Sequence, residues 1–192
     1  MMNSAVQPTR SRKAERTRDA ILAAARALFA ADSYDDVGVR DIGMAAGIDP
    51  ALVIRYFGSK ERLFAEALET GAEDMDLFNG TPEEFSERAA GILVEPKDGA
   101  KLQSFLMMLQ SATSQKAAHL TEQYLDRRLR EPLKAWRRKD YDPVQAQLVL
   151  SVILGTALSR TISPHFKMSQ GEKRKLQTAL KRLLIYCLDT DL

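Results

Sequence analysis

An all-helical fold is predicted: a small N-terminal three-helix module carrying a helix-turn-helix, followed by a larger helical domain. Three observations predict it. Apolar residues recur at three- and four-residue spacing along several long segments. Glycine and proline are sparse, 10 and 7 residues, and fall mostly between those segments. No stretch shows sustained alternation flanked by hairpin turns, as a half-buried strand would.

The elements follow in order. The polar, basic start, residues 1–15, is expected to be a flexible arm. A first helix is predicted from about Thr17 to Ala31, because Ile21, Leu22, Ala25, Leu28 and Phe29 make one apolar stripe. After the loop 32–38 comes a short helix, VRDIGMAA, with Val39, Ile42, Ala45 and Ala46 available to face inward. Gly47-Ile48 breaks it. Asp49 is a good N-cap and Pro50 suits a first helical turn, so ALVIRYF starts at a defined point. Gly58 ends that helix and Ser59 caps the next, predicted from Lys60 to Phe78. Further helices are expected over 82–94, 99–111, 115–138, 143–162 and 171–189. Pro132 lies inside the third of these, so it should kink near Arg128 or divide in two.

Composition leaves the partner open and the distribution of charge narrows it. A net charge of +2 neither demands nor excludes nucleic acid. The segment Arg10, Arg12, Lys13, Arg16, Arg18 has only Glu15 against it, however, and a second basic cluster runs from Arg127 to Lys139 with an acidic stretch, Glu69 to Glu87, between the two. The one cysteine, Cys187, forms no intrachain disulfide and supports no thiolate metal cluster, so no cofactor or metal is expected. With no secretory leader and no long uncharged apolar run, the expectation is a cytoplasmic protein without a membrane partner.

Two short helices joined by a tight turn at Gly47 have the form of a helix-turn-helix, in which the first braces the second for entry into a major groove. Short helix pairs are common in bundles, so the conjunction carries the argument. The second helix is too short to be retained for packing alone, and Ala51, Leu52, Arg55 and Tyr56 lie on its expected outer face. Lys60 sits in the first turn of the next helix, where backbone N–H groups and the dipole favour a phosphate. The basic arm precedes the first helix and is placed to follow a DNA backbone, and Arg16 and Arg18, where that helix begins, are counted with the DNA contacts.

The runs ILAAARALF (21–29) and VRDIGMAAGIDPALVIRYFGSKERLFAEAL (39–68) strongly resemble the DNA-binding domain of TetR-family repressors, over about residues 16–68. The resemblance implies a DNA-binding regulator, not an enzyme, whose remaining residues, 69–192, form a regulatory and dimerisation domain. It places Arg40 of the supporting helix and Pro50, Ala51, Leu52, Ile54, Arg55 and Tyr56 against DNA, with Lys60 on a phosphate. Leu22, Phe29, Ile42, Ala46, Val53, Phe57 and Leu63 become packing positions. Three departures bear on the operator. Gly38 and Val39 stand where hydroxyl residues are frequent, and Ile54 offers only apolar contact where Tyr or His is frequent. Gly43 replaces a common alanine, at a helix-propensity cost of roughly 1 kcal/mol.

One recognition helix reads few base pairs, so a homodimer on double-stranded operator DNA is expected. The resemblance puts its interface on the last two helices, where AQLVLSVILGTALS is apolar around most of its circumference and Gly155, Thr156 and Ser159 permit close approach. A small-molecule effector is expected in the middle of the chain, with Phe105, Met107, Met108, Tyr124 and Trp136 as candidate contacts and ordinary core as the plainer reading of each. His119 with Glu122, and His165 in a loop, are the remaining groups able to bind a metal or move a proton, and a solvated surface explains them equally. The alternatives are a regulator without an inducer, a protein-interaction module, and a small helical enzyme or carrier. The last is disfavoured because no nucleophile elbow, zinc-protease motif or phosphate-cradling glycine loop is present.

Overall fold

A computed structural model describes residues 7–70, 78–95, 99–162 and 168–189, all of whose regular elements are helical. In chain order they are α1 (Gln7–Ala31), α2 (Val39–Ala45), α3 (Pro50–Phe57), α4 (Lys60–Glu69), α5 (Pro82–Val94), α6 (Gly99–Gln110), α7 (Gln115–Leu125), α8 (Glu131–Arg137), α9 (Pro143–Ile162) and α10 (Gln170–Asp189). The all-α expectation holds.

The chain divides into two compact units. Residues 1–70 and 106–121 form the first; 71–105 and 122–192 form the second. In the first, α1 packs on α4 and α2, α2 on α3, and α3 on α4. Ile21, Ala25, Phe29, Ile42, Val53, Leu63 and Phe64 are buried there. Three rings lock the centre: Phe64 meets Phe29 and Tyr34 edge-on at 5.0 and 5.2 Å between centroids, while Phe29 and Tyr34 stack at 5.8 Å.

Two helix bounds differ from expectation. α1 begins at Gln7, so residues 7–15 are helical and the arm reading fails for them. Thr17 is an interior residue whose hydroxyl donates to the Lys13 carbonyl at 2.9 Å. The stretch behind Pro8 consists largely of good helix formers, and proline is tolerated in a first turn. α4 in turn ends at Glu69, short of Phe78, with Thr70 extended at φ −65°, ψ 124°. Its last carbonyls are occupied from outside the helix: the buried Arg26 guanidinium of α1 donates to the carbonyls of Ala67 and Thr70.

In the second unit α10 packs on α5 and α9, and α5 on α9. Phe85, Ala89, Leu133, Val149, Leu184 and Leu188 are core residues. Thr81 and Glu84 form a capping box at the start of α5, the carboxylate accepting from Thr81 N–H at 2.9 Å and the hydroxyl from Glu84 N–H at 3.3 Å. The proline signal in the mid-chain helix is resolved as a π turn over Asp126–Arg130, in which Glu131 N–H reaches back to the Asp126 carbonyl. Pro132 lacks an N–H and in a regular α-helix its ring would crowd the Arg128 carbonyl, and the widened turn sits there.

Candidate nucleic-acid interface

The geometry of α2 and α3 is set by local chemistry. Asp49 accepts from Ala51 N–H at 2.8 Å and Pro50 occupies the first turn, starting α3. Gly47 and Gly58 bound the helix at φ +67° and +81°, a region that L side chains rarely adopt. Ser59 accepts from Arg62 N–H at 3.2 Å and starts α4. At α2, Gly38 has no side chain to cap with. The Asp41 carboxylate satisfies the Gly38 N–H instead, at 2.8 Å.

Gly43 has a steric role that its helix propensity hides. It is buried where α2 crosses the start of α3, and a Cβ there would lie 2.9 Å from the Pro50 Cα and 3.1 Å from its N and Cγ. The departure from alanine therefore permits the close approach of the two helices.

Val53 and Phe57 anchor α3 in the core, while Ala51, Ile54 and Arg55 are exposed and Pro50, Leu52 and Tyr56 half-buried. Arg40 is exposed at the start of α2, Arg16 is exposed on α1, and Met44, near the end of α2, is 73% exposed. The supposed packing positions Leu22, Phe29, Ile42, Val53, Phe57 and Leu63 are buried, and Ala46 is half-buried.

Two of the expected DNA contacts are engaged inside the protein. Arg18 pairs with Glu66 of α4 and lies 5.1 Å from the Phe57 ring centroid, so its guanidinium joins α1 to α4. Lys60 donates to the carbonyls of Tyr34 at 2.9 Å and Val37 at 3.1 Å, with its ammonium 4.1 Å from the Tyr34 ring centroid. The carbonyls of the α1–α2 loop converge on the start of α4, and the lysine answers them. Beside it, Glu61 is held below the usual carboxylate range by its own N–H and by Ser59, and burial raises the Tyr34 phenol, with the Glu61 charge adding to the effect.

Arg26 was not singled out from the sequence. Its signal was available: it sits four residues after Leu22 and three before Phe29, a charge on the apolar stripe.

The proposed effector contacts are spread over both units. Met107 and Met108 fall in the first unit; Phe105, Tyr124 and Trp136 fall in the second. Met107 is fully buried. Trp136, half-buried, packs against the core, with Phe85 at 5.4 Å and its indole N–H donating to the Gly80 carbonyl at 2.9 Å. Phe78, Leu129, Leu133, Val149 and Ile153 line an apolar crevice, open to solvent, with Arg130 as the charged group in its lining. Its enclosed space is about 10 Å³, room for about one water molecule and far less than a drug-sized ligand needs. Arg130 pairs with Asp126 at 2.5 Å.

His119 and Glu122 are both exposed, and His165 lies outside the described residues. Among the described residues no group of three or more His, Cys, Asp or Glu is placed to hold a metal, and no helix is long and apolar enough to cross a membrane.

Comparisons with known proteins match two stretches of the chain. Residues 21–67 match the family of bacterial regulatory proteins of the tetR type, and residues 83–188 match the tetracyclin repressor-like C-terminal domain. The transcriptional repressor NicS of Pseudomonas putida is 38% identical over 60 residues, which are 31% of this chain and 28% of that protein. The chain thus matches well under a third of that relative's length. Among solved structures, NalD, the secondary repressor of the MexAB-OprM multidrug efflux pump in Pseudomonas aeruginosa, superposes with a TM-score of 0.70 at 19% identity, covering 93% of this chain and 99% of NalD. A transcriptional regulator from Rhodococcus sp. Rha1 gives 0.61 at 22% identity, covering 87% and 93%. At these identities the likeness to solved structures is one of fold.

Proposed function

The chain belongs to the TetR family of bacterial transcriptional regulators, and from that premise we propose that it represses transcription by binding operator DNA as a homodimer and is released by a small molecule. The observation that carries the DNA half is α3: a short helix, capped at both ends and anchored by Val53 and Phe57, that turns Ala51, Ile54 and Arg55 to solvent. Arg55 is the candidate for reading a guanine edge, and Ile54 for contact with a thymine methyl. Pro50, Leu52 and Tyr56 complete the groove face, and Arg40 and Arg16 are assigned to phosphates. Lys60 and Arg18 are left out of that set because their charges are engaged within the module. Repression is the sign suggested by NicS, the relative matched over 60 residues.

The dimer reading is supported by the outer faces of the last two helices. Val144, Leu148, Ser151, Gly155 and Ser159 form one exposed stripe along α9, while Leu183 and Tyr186 of α10 are 45% and 62% exposed. A side chain at Gly155 would meet nothing within 4 Å, leaving room for close helix approach by a second copy.

For the effector, the apolar crevice beside the π turn is the candidate entry point, and a drug-sized ligand requires its helices to part. Release obeys linkage: a molecule that weakens DNA binding is itself bound more weakly by the DNA complex, with a coupling of about 1–3 kcal/mol.

The test is a fluorescence titration of the purified chain against DNA from upstream of its own coding region, across a salt series. Saturable binding that exceeds binding to unrelated DNA and weakens steeply with salt is expected. Equal affinity for unrelated DNA removes the operator reading, and no complex at low salt removes DNA binding altogether.

A further inference from the structure

We propose that Ser111, at the corner after α6, is a positioning residue for the DNA-binding module, tying that corner to the loop that sets the start of α2. Residues 106–121 belong to the same compact unit as 1–70, so this corner is structurally part of the module. Ser111 and Tyr34 are each 1% exposed, and the serine hydroxyl accepts the Tyr34 N–H at 3.1 Å. The carbonyl of Tyr34 then accepts from Lys60, which also holds the Val37 carbonyl. Val37 immediately precedes Gly38, whose carbonyl receives the first helical bond of α2, from Ile42 N–H at 3.2 Å.

The hydrogen bonds in this chain all have buried or half-buried partners. Within the loop, the Ser33 carbonyl accepts from the N–H groups of Asp36 and Val37 at 3.1 and 3.2 Å, and its hydroxyl from Asp35 N–H at 3.4 Å. The Tyr34 N–H thus depends on a residue 77 positions away. Leaving this buried N–H without an acceptor is costly, so loss of the Ser111 hydroxyl destabilises the placement of the loop.

Ser111 is also fixed to its own helix, its N–H donating to the Met107 carbonyl at 3.1 Å, while its carbonyl accepts from Ser114 N–H ahead of α7. A shift at the end of α6 therefore either moves the 33–38 loop or breaks the bond. Both outcomes alter the footing of α2, which braces α3. The regulatory meaning rests on the DNA-binding reading above, whereas the coupling itself does not.

Hydrogen exchange of the full chain, measured by mass spectrometry without DNA, tests the coupling. Ser111→Ala should speed exchange of amides 34–42 by about five-fold or more, with amides in α9 and α10 within two-fold of wild type. Ser111→Thr, which keeps the hydroxyl, should restore protection. On a DNA site that wild type binds, Ser111→Ala should weaken affinity and leave the salt slope unchanged, because no phosphate contact is lost. Unchanged exchange over 34–42, or acceleration spread evenly over the chain, overturns the proposal. If Ser111→Ala does not fold, Ser111→Cys, with its weak sulfur acceptor, should give intermediate acceleration confined to 34–42, and wild-type exchange there overturns it equally. Failure of wild type to bind any DNA would defeat the functional reading and leave the exchange result to decide the coupling.

Discussion

The Lys60 ammonium stands 4.1 Å from the centroid of the Tyr34 ring and donates to the same residue's carbonyl at 2.9 Å. A lysine in this position serves the fold before it serves a ligand. Lys60→Met keeps the stem and removes three donors. It should lower stability by about 1–3 kcal/mol through the two carbonyls left without a partner. Its DNA affinity should fall while the slope of log affinity against log salt changes by much less than the ~0.9 expected for one lost phosphate contact. A slope change near 0.9 with unchanged thermal midpoint would return Lys60 to the phosphate-binding set.

Arg55 and Arg40 should separate by kind of effect. Arg55→Ala should cost about 1–3 kcal/mol on the preferred site and relax sequence preference at one position, whereas Arg40→Ala should weaken all sequences alike and reduce the salt slope by about 1. Selection of binding sites from a random library for each variant, with a salt series, measures both. Identical site profiles and slopes in the two variants and wild type would remove the proposed face.

Gly43→Ala gains roughly 1 kcal/mol of helix propensity. It also drives a methyl to 2.9 Å from the Pro50 Cα, part of a backbone that cannot swing aside as a side chain does. The clash should win, giving a net loss of about 1–2 kcal/mol in urea unfolding and weaker DNA binding. A stabilised variant would show that α2 and α3 separate freely, contrary to the packing described.

The contact between α5 and α10 should be acid-sensitive. Glu87 is held below the usual range chiefly by a hydrogen bond from Lys181, and Glu95 by one from Lys173, at 2.7 and 2.8 Å. Their folded values lie below the unfolded one, so each contributes stability above the ordinary value near 4.5 and loses it as pH falls through the folded value. Both side chains are about half exposed, so the effect is small. The double variant Glu87→Gln, Glu95→Gln should unfold at lower urea than wild type near about pH 7, and the gap should narrow as pH falls below the ordinary value near 4.5. A gap that persists unchanged at low pH would assign the loss to packing.

The DNA-binding module was legible where its signals are local. Asp49 with Pro50 and Ser59 as caps, Gly47 and Gly58 as breaks, and the apolar spacing of α1 each act within about one helical turn, and the structure places them accordingly. The bounds of α5 and α9 were equally plain from Thr81-Pro82 and Pro143. The bounds that misled were those lacking a breaker. Nothing between Pro8 and Thr17 stops a helix, and α4 ends where Arg26 of another helix takes its carbonyls. Residue type alone suggests the effector contacts, and large aromatic and methionine side chains serve a core as well as a pocket. Trp136 and Met107 accordingly lie in packing.

By itself, the amino-acid sequence determined that the chain is helical, that it carries a helix-turn-helix of one family, and where α3 begins and ends, since propensity, capping and periodicity act between near neighbours. Tertiary structure alone decided what the charged residues around that motif do. Arg18 meets Glu66 across 48 positions, Arg26 meets Ala67 across 41, and Lys60 meets Tyr34 across 26. A cation close to a groove-binding helix looks the same in one dimension whether it faces phosphate or a carbonyl of its own chain. The difference arises only when folding desolvates those carbonyls and leaves them in need of donors.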